Sequence, residues 1–313
     1  MNTRKPFAWQ KKGLVYANEI PGFTFASHPC VYHLTDDEFL LAFTRRDEKQ
    51  HSNIFLTRAH VANGNVTLTC EPRLALTPGA PGTFDCDGAA SMCMVEDGGQ
   101  IYLYYGSWQN LPAKGMWIAE SGRVRVNLEK MVCEREFEGP VFGRCIDEPL
   151  WGTGPCLMKE GNQWRVWYVS LDRWEPQSDG TVKHFYNLKH RYSDDGIQWN
   201  RGRTTCIDFA NELECSIACP SVLHEPGKPY QMWYSFREQP GINTYRIGYA
   251  ESQDGIEWTR LDNLAGIDVS PTGWDSEMIC YGHVFKHKDY TYMLYNGNAY
   301  GKTGFGLAVL KDA

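Results

Sequence analysis

The sequence predicts an all-β fold: one five-bladed β-propeller over residues 1–313, with four-stranded antiparallel blades and an amino-terminal strand closing the last blade. Three observations predict it. A short strand motif recurs five times at near-constant spacing, and aromatic strands bounded by turns follow each copy. The carboxyl end also lacks one strand of the unit, while the amino end carries a spare one.

Each copy opens on a small residue or proline and continues into apolar residues, a polar turn and an aromatic strand. The copies are Ser27–Val31, Ala90–Met94, Gly154–Leu157, Cys219–Leu223 and Tyr281–Phe285. Anchored on Pro29, Ser91, Pro155, Pro220 and Gly282, the intervals are 62, 64, 65 and 62 residues. A fixed period of this kind is the signature of a repeat architecture. Second strands follow at Phe39–Phe43, Ile101–Tyr105, Trp164–Tyr168, Tyr230–Tyr234 and Tyr290–Tyr295. Third strands read Asn53–Thr57, Gly115–Ala119, Lys189–Tyr192, Tyr245–Tyr249 and Gly304–Ala308. Fourth strands can be drawn in four units, Val66–Cys70 among them. The fifth unit stops at its third strand, so the segment from Phe7 to Ala17 is expected to complete it. Such closure leaves only short, protected edges.

Two turns, Ser193-Asp194-Asp195-Gly196-Ile197-Gln198-Trp199 and Ser252-Gln253-Asp254-Gly255-Ile256-Glu257-Trp258, share one pattern. Asp-Gly supplies the positive φ that tight turns need. The pattern resembles the Asp-box of sialidase-type propellers, and its expected role is structural.

Composition bounds the partners. Hydrophobic residues make up 42% and charged residues 22%, with 11 Trp, 17 Tyr and 14 Phe. Aromatics suit pleated surfaces, and exposed Trp is a common platform for sugar rings. The net charge is -7, with no basic run, which disfavours nucleic acid, whose binding rests on phosphate neutralisation, and an anionic membrane. No apolar stretch approaches the roughly 18 residues of a membrane helix. The amino terminus has no apolar signal region. The 11 Cys show no paired zinc spacing, so reduced thiols, no metal, no cofactor and a cytoplasmic location are expected. Oligomeric state is left open.

In a propeller, residues just before each innermost strand and just after each second strand share one face. The first set contains His28, Asp85, Asp87, Trp151, Glu212, Glu214, Trp274, Asp275 and Glu277; the second contains Arg45, Arg46, Asp47, Trp108, Asp172, Arg173, Trp174, Arg237, Glu238, Asn296, Asn298 and Tyr300. Two carboxylates across a sugar can act as acid and base, or acid and nucleophile. Glu214 is expected as acid, Asp87 as base or nucleophile, and Asp275 or Glu277 as modulator. Each acid also has a plainer reading as a strand-entry charge. Arg45, Arg46, Arg173 and Arg237 suit an anionic ligand, or pairing with nearby acids. His28, Asp85, Trp108, Trp151, Trp274 and Asn298 complete the expected binding surface.

The five-unit pattern with these turns and entry acids resembles the five-bladed glycoside hydrolase superfamily of arabinanases, xylosidases, invertases, levansucrases and mannoside phosphorylases. The stretches 212–222, 245–258 and 273–280 look like uncharacterised members found with bacterial surface-polysaccharide genes. The resemblance implies a carbohydrate-active enzyme that hydrolyses, transfers or phosphorolyses a glycosidic bond, with an acidic sugar or sugar phosphate as one substrate class. Two departures accompany it: His28-Pro29 stands where relatives carry a first-blade Asp, and Glu214 lies six residues before Pro220. A non-catalytic carbohydrate-binding propeller is the alternative.

Overall fold

The computed structural model describes residues 4–17, 20–112, 115–199, 201–238 and 244–311. Strand β1 (Gln10–Tyr16) comes first. A first unit follows with β2 (Phe23–Thr35), β3 (Glu38–Asp47), β4 (Ser52–Ala62) and the short β5 (Asn65–Leu68) and β6 (Arg73–Leu76). The second contains β7 (Gly88–Asp97), β8 (Gln100–Asn110), β9 (Trp117–Asn127) and β10 (Val132–Arg135). The third contains β11 (Gly152–Glu160), β12 (Gln163–Pro176), β13 (Val182–Ser193) and β14 (Arg201–Ile207). The fourth contains β15 (Glu214–Leu223), β16 (Tyr230–Glu238), β17 (Arg246–Ser252) and β18 (Thr259–Arg260). The fifth contains β19 (Cys280–His287), β20 (Tyr290–Asn296) and β21 (Phe305–Lys311).

Within every unit the strands pair antiparallel in meander order. Strand β1 pairs antiparallel with β21, giving the last sheet the order β1-β21-β20-β19. Units one and two are linked by one parallel bridge, Ser52 to Gly88, and units three and four by another, Tyr186 to Ser216. Among the described residues, helix is confined to a 3-10 turn at Asp262–Leu264 and one short turn, α1 (Asn298–Gly301).

The five innermost strands β2, β7, β11, β15 and β19 each lie beside the next, and β19 lies beside β2. A hydrogen bond crosses every junction. Ser91 Oγ donates to His28 O (2.7 Å), Leu157 N to Cys93 Sγ (3.5 Å) and Val222 N to Cys156 Sγ (3.4 Å). Val284 N donates to Ser221 Oγ (2.8 Å) and Val31 N to His283 Nε2 (3.3 Å). Accepting that last bond requires a neutral imidazole, and burial lowers His283 to a pKa of about 4. None of the 11 cysteines is in a disulfide.

The repeated motif is a β-bulge. An extra residue interrupts the register between Ser27 and Cys30, Ser91 and Cys93, Thr153 and Cys156, Ala218 and Ser221, and Cys280 and His283. In the second unit that residue is Met92, so its anchor lies one position after Ser91. At four of the five bulges the backbone is left-handed: His28 (φ 50), Gly154 (φ 62), Cys219 (φ 49) and Tyr281 (φ 56). Bulges re-aim side chains and are frequent beside functional sites.

The two Asp-Gly turns join neighbouring sheets. Asp195 Oδ1 accepts from the backbone N–H groups of Ile197 and Gln198 (both 2.8 Å), and Asp254 Oδ1 from those of Ile256 and Glu257 (2.8 and 2.9 Å). The carbonyls of their glycines face the preceding unit. Tyr104 Oη donates to Gly196 O and Trp167 Nε1 to Gly255 O, each at 2.7 Å. Both carboxylates are occupied in holding their own turns.

Candidate functional site

The bulges point into one cavity. His28, Met92, Gly154, Cys219 and Tyr281, one residue from each unit, line a space of about 430 Å³. Its walls are aromatic: Trp108, Trp117, Trp151, Tyr186 and Tyr300. Trp117 and Trp151 lie with ring centroids 4.5 Å apart, and the Trp151 indole N–H is buried without a partner. Opposite, His28 stacks on Tyr281 at 4.6 Å. Gln50, Ser107, Asn110 and Thr153 supply neutral polar groups, and Arg46 a charge. No Asp or Glu is among the described lining residues.

Charge in this cavity follows from burial. Burial, then the neighbouring Arg46 charge, lower His28 to a pKa of about 3, so its ring is neutral across the physiological range. Its Nδ1 lies 3.1 Å from Ser27 Oγ, and its backbone N–H donates to Asn296 Oδ1 (3.0 Å). Arg46 lies over the Phe25 ring at 4.4 Å. Tyr300 is held by backbone strain: Ala299 (φ 50) and Tyr300 (φ 62) are consecutive left-handed non-glycine residues. Asn298 holds that turn, its Oδ1 accepting from the backbone N–H of Glu277 and of Met278.

The entry carboxylates are elsewhere, and a second repeat accounts for them. In units two to five a tyrosine opposite the bulge donates to an acid, and a cation from the outer strand closes the group. Asp85 accepts from Tyr105 Oη (3.0 Å) and Arg135 Nη2 (2.7 Å). Glu148 accepts from Tyr168 Oη (2.7 Å) and Arg203 Nε (3.2 Å). Asp262 accepts from Tyr234 Oη and Arg260 Nη2, and Arg260 also grips both oxygens of Glu214 at 2.7 and 2.8 Å. Asp275 accepts from Tyr295 Oη (2.9 Å) and Lys11 Nζ (2.7 Å). In units two, four and five the tyrosine lies across a glycine, namely Gly122, Gly248 and Gly306. A Cβ at Gly122 or Gly248 would strike the Tyr105 or Tyr234 ring. Unit one has Phe43 at this place, and buried Arg45 donates instead to Tyr16 Oη and Phe23 O (both 3.1 Å).

Of the residues expected at the site, His28, Arg46, Trp108 and Trp151 line the cavity. Asp87 adjoins it: half-buried, it accepts at 2.6 Å from the backbone N–H of Asn110, a lining residue. Arg237 stands one hydrogen bond away, donating to Tyr300 Oη (3.3 Å). The expected grouping of Asp87, Glu214 and Asp275 is corrected by the structure, because Arg260 and Lys11 hold Glu214 and Asp275 inside their own sheets. Asp85 is held likewise by Arg135. Glu277 is exposed, with its backbone N–H and C=O bonded to Asn298 and Arg246. Arg173 pairs with Asp172 and Glu175 (both 2.9 Å), and Trp274 packs against Tyr295. Tyr300, expected on this face, lines the cavity, whereas Trp117, Tyr186 and Tyr281 were not anticipated as lining residues. Tyr281 had a signal, since it occupies the same motif position as His28.

No family model matches the chain. Among solved structures it resembles BT0996 in a complex with RGII, with TM-score 0.69, 16% identity, 99% of this protein covered and 92% of the other. It also resembles a glycoside hydrolase (TM-score 0.70, 15% identity, 99% and 93% covered) and a thermostable family-43 glycoside hydrolase (TM-score 0.62, 13% identity, 95% and 91% covered). At these identities the likeness shows the fold, a nearly all-β architecture resembling five-bladed propeller glycoside hydrolases. In sequence the protein is 33% identical over 308 residues to uncharacterized proteins MT1551 and Rv1502 of two Mycobacterium tuberculosis strains. Those matches cover 97% of this protein and 100% of each relative. The chain therefore belongs to the same family as these uncharacterized mycobacterial proteins.

Proposed function

We propose that this protein is a single, closed five-bladed propeller that binds a carbohydrate in the cavity at the bulges. The observation that carries the reading is the cavity's composition: aromatic rings and neutral polar groups surround it, and no described lining residue is a carboxylate. Tryptophan faces suit the apolar faces of sugar rings, and a few placed polar groups fix orientation, as in most small-molecule sites. A glycosidase of the usual kind needs two carboxylates flanking the bond. Glu214 and Asp275 are engaged elsewhere, which favours binding over two-carboxylate hydrolysis.

Titrating an oligosaccharide panel against tryptophan fluorescence tests this reading, with a parallel assay for released reducing ends. Binding without hydrolysis, weakened in Trp117→Ala, is the expected result. A panel member hydrolysed by the wild type and not by Glu214→Gln would overturn it.

One observation favours a second reading, turnover of a glycosidic bond. Asp87 abuts the cavity through Asn110, and one acid suffices where the attacking group is supplied by a co-substrate rather than by a second carboxylate. Loss of turnover in Asp87→Asn with ligand affinity retained is the result this reading requires.

A further inference from the structure

We propose that the ligand is a sugar carrying a phosphate group, and that the phosphate sits beside Tyr300 between Arg46 and Arg237. This rests on the cavity being a carbohydrate site and adds the charge of what it holds.

Two arginines lack a counter-charge among the described residues. Several other half-buried or buried arginines meet carboxylates: Arg123 meets Glu136, Arg191 meets Asp147 and Arg260 meets Glu214, whereas buried Arg45 meets Tyr16 Oη and Phe23 O. Arg46 and Arg237 are both half-buried, and neither forms an ion pair among the described residues. The Arg46 guanidinium lies over the Phe25 face. Arg237 donates to Ser216 Oγ (2.9 Å) and Tyr300 Oη (3.3 Å) and lies 5.3 Å from the Tyr245 ring centre, while its Nε is buried without a partner. Withdrawing an unpaired charge from water is costly. A protein retains such groups where a ligand completes them.

Both arginines act on Tyr300. Arg237 bonds its hydroxyl, and Arg46 lines the same cavity within electrostatic reach of Tyr281 and Tyr300. His28 brings no charge, being neutral. Two guanidinium groups therefore meet no described carboxylate in the cavity wall. A phosphate monoester, at about -1.5 to -2 near neutral pH, balances both, whereas a uronate carboxylate balances one. Guanidinium forks also match phosphate oxygens in geometry. Trp108 and Trp117, also in the cavity wall, remain for the sugar ring.

Calorimetric titration of the full chain at low salt provides the test, using inorganic phosphate, glucose 1-phosphate, glucuronate and a neutral oligosaccharide. Phosphate and glucose 1-phosphate should bind more tightly than glucuronate. Arg46→Gln should weaken both phosphate probes at least about tenfold, and by a larger factor than it weakens the neutral oligosaccharide. Arg237→Lys, which keeps the charge and loses the fork, should weaken them less than Arg237→Gln does. Affinity should rise as pH passes the second phosphate ionisation near 6. Absence of phosphate binding at millimolar concentration, a preference for glucuronate, or unchanged phosphate affinity in Arg46→Gln would each overturn the proposal. If the neutral oligosaccharide fails to bind while phosphate binding still depends on Arg46, the carbohydrate reading falls and the anion site stands.

Discussion

Replacing Lys11 by Met removes the cation through which the amino-terminal strand grips the fifth sheet. Lys11 Nζ lies 2.7 Å from Asp275 Oδ2, and Asp275 is 2% exposed. Breaking a buried pair costs about 3–5 kcal/mol, because the remaining charge is stranded. The Lys11 side chain is 25% exposed, however, so water relieves part of the loss and about 2–3 kcal/mol is expected. For a chain of this length that corresponds to roughly 3–5 °C in Tm. Burial pushes the Asp275 carboxyl up, but hydrogen bonds from Lys11, Ser270 and Tyr295 outweigh it and hold the group below its ordinary value. In the wild type this contributes stability above the unfolded pKa of about 3.9, and the contribution is lost as pH falls. Without Lys11, burial dominates, and acid relieves the stranded charge by protonating it. The Tm gap between wild type and Lys11→Met should therefore be widest at pH 7 and narrow toward pH 4. Adding Asp275→Asn should recover most of the loss at pH 7. Calorimetric melting at both pH values is the assay. Equal Tm values at pH 7, or a gap that widens in acid, would refute the reasoning.

Other outcomes follow from the same architecture. Glu214→Gln, which gives up the two-pronged Arg260 contact, should lower stability by about 2–3 kcal/mol in melting experiments while leaving ligand affinity unchanged. Gly122→Ala should drive the Tyr105 ring off Asp85 and cost about 1–3 kcal/mol, measured by denaturant unfolding. Three histidines, buried His190 and half-buried His28 and His283, should make the fold acid-sensitive. His28 and His190 titrate near 3 and His283 near 4 in the folded chain, against about 6.5 unfolded. The unfolded chain takes up these protons first, so Tm should fall as pH drops from about 6.5 toward 4. A Tm that stays flat over that range would count against their neutrality.

The fold was legible because its information is periodic. Four of the five anchors fall on the bulge of their own unit, and the spare strand at Gln10–Tyr16 lodges beside Phe305–Lys311. The anchor in the second unit was one residue early because no proline follows the bulge there. The site was less legible, since shared strand-entry position places residues at one end of a sheet but does not decide which way they turn. Asp275 sits at the expected entry yet faces Tyr295 and Lys11. Lys11 is 264 positions away, and nothing local announces it. The tyrosine opposite each bulge, at Tyr105, Tyr168, Tyr234 and Tyr295, was visible as a repeated aromatic. Its role as a donor to the entry acid needs the outer-strand cation to be recognised. Tyr281 was read only as a place in a pattern, although it matches His28, which was expected at the site, and a left-handed bulge turns both side chains inward.

Crystals soaked with an oligosaccharide or sugar phosphate that binds in solution give the most direct measurement of the central claim. Ring density should appear between Trp108 and Trp117 on one side and Tyr281 and Tyr300 on the other, with Glu214 still on Arg260 and Asp275 still on Lys11. A ligand seated on Glu214 or Asp275, with those ion pairs opened and the aromatic cavity empty, would contradict the account.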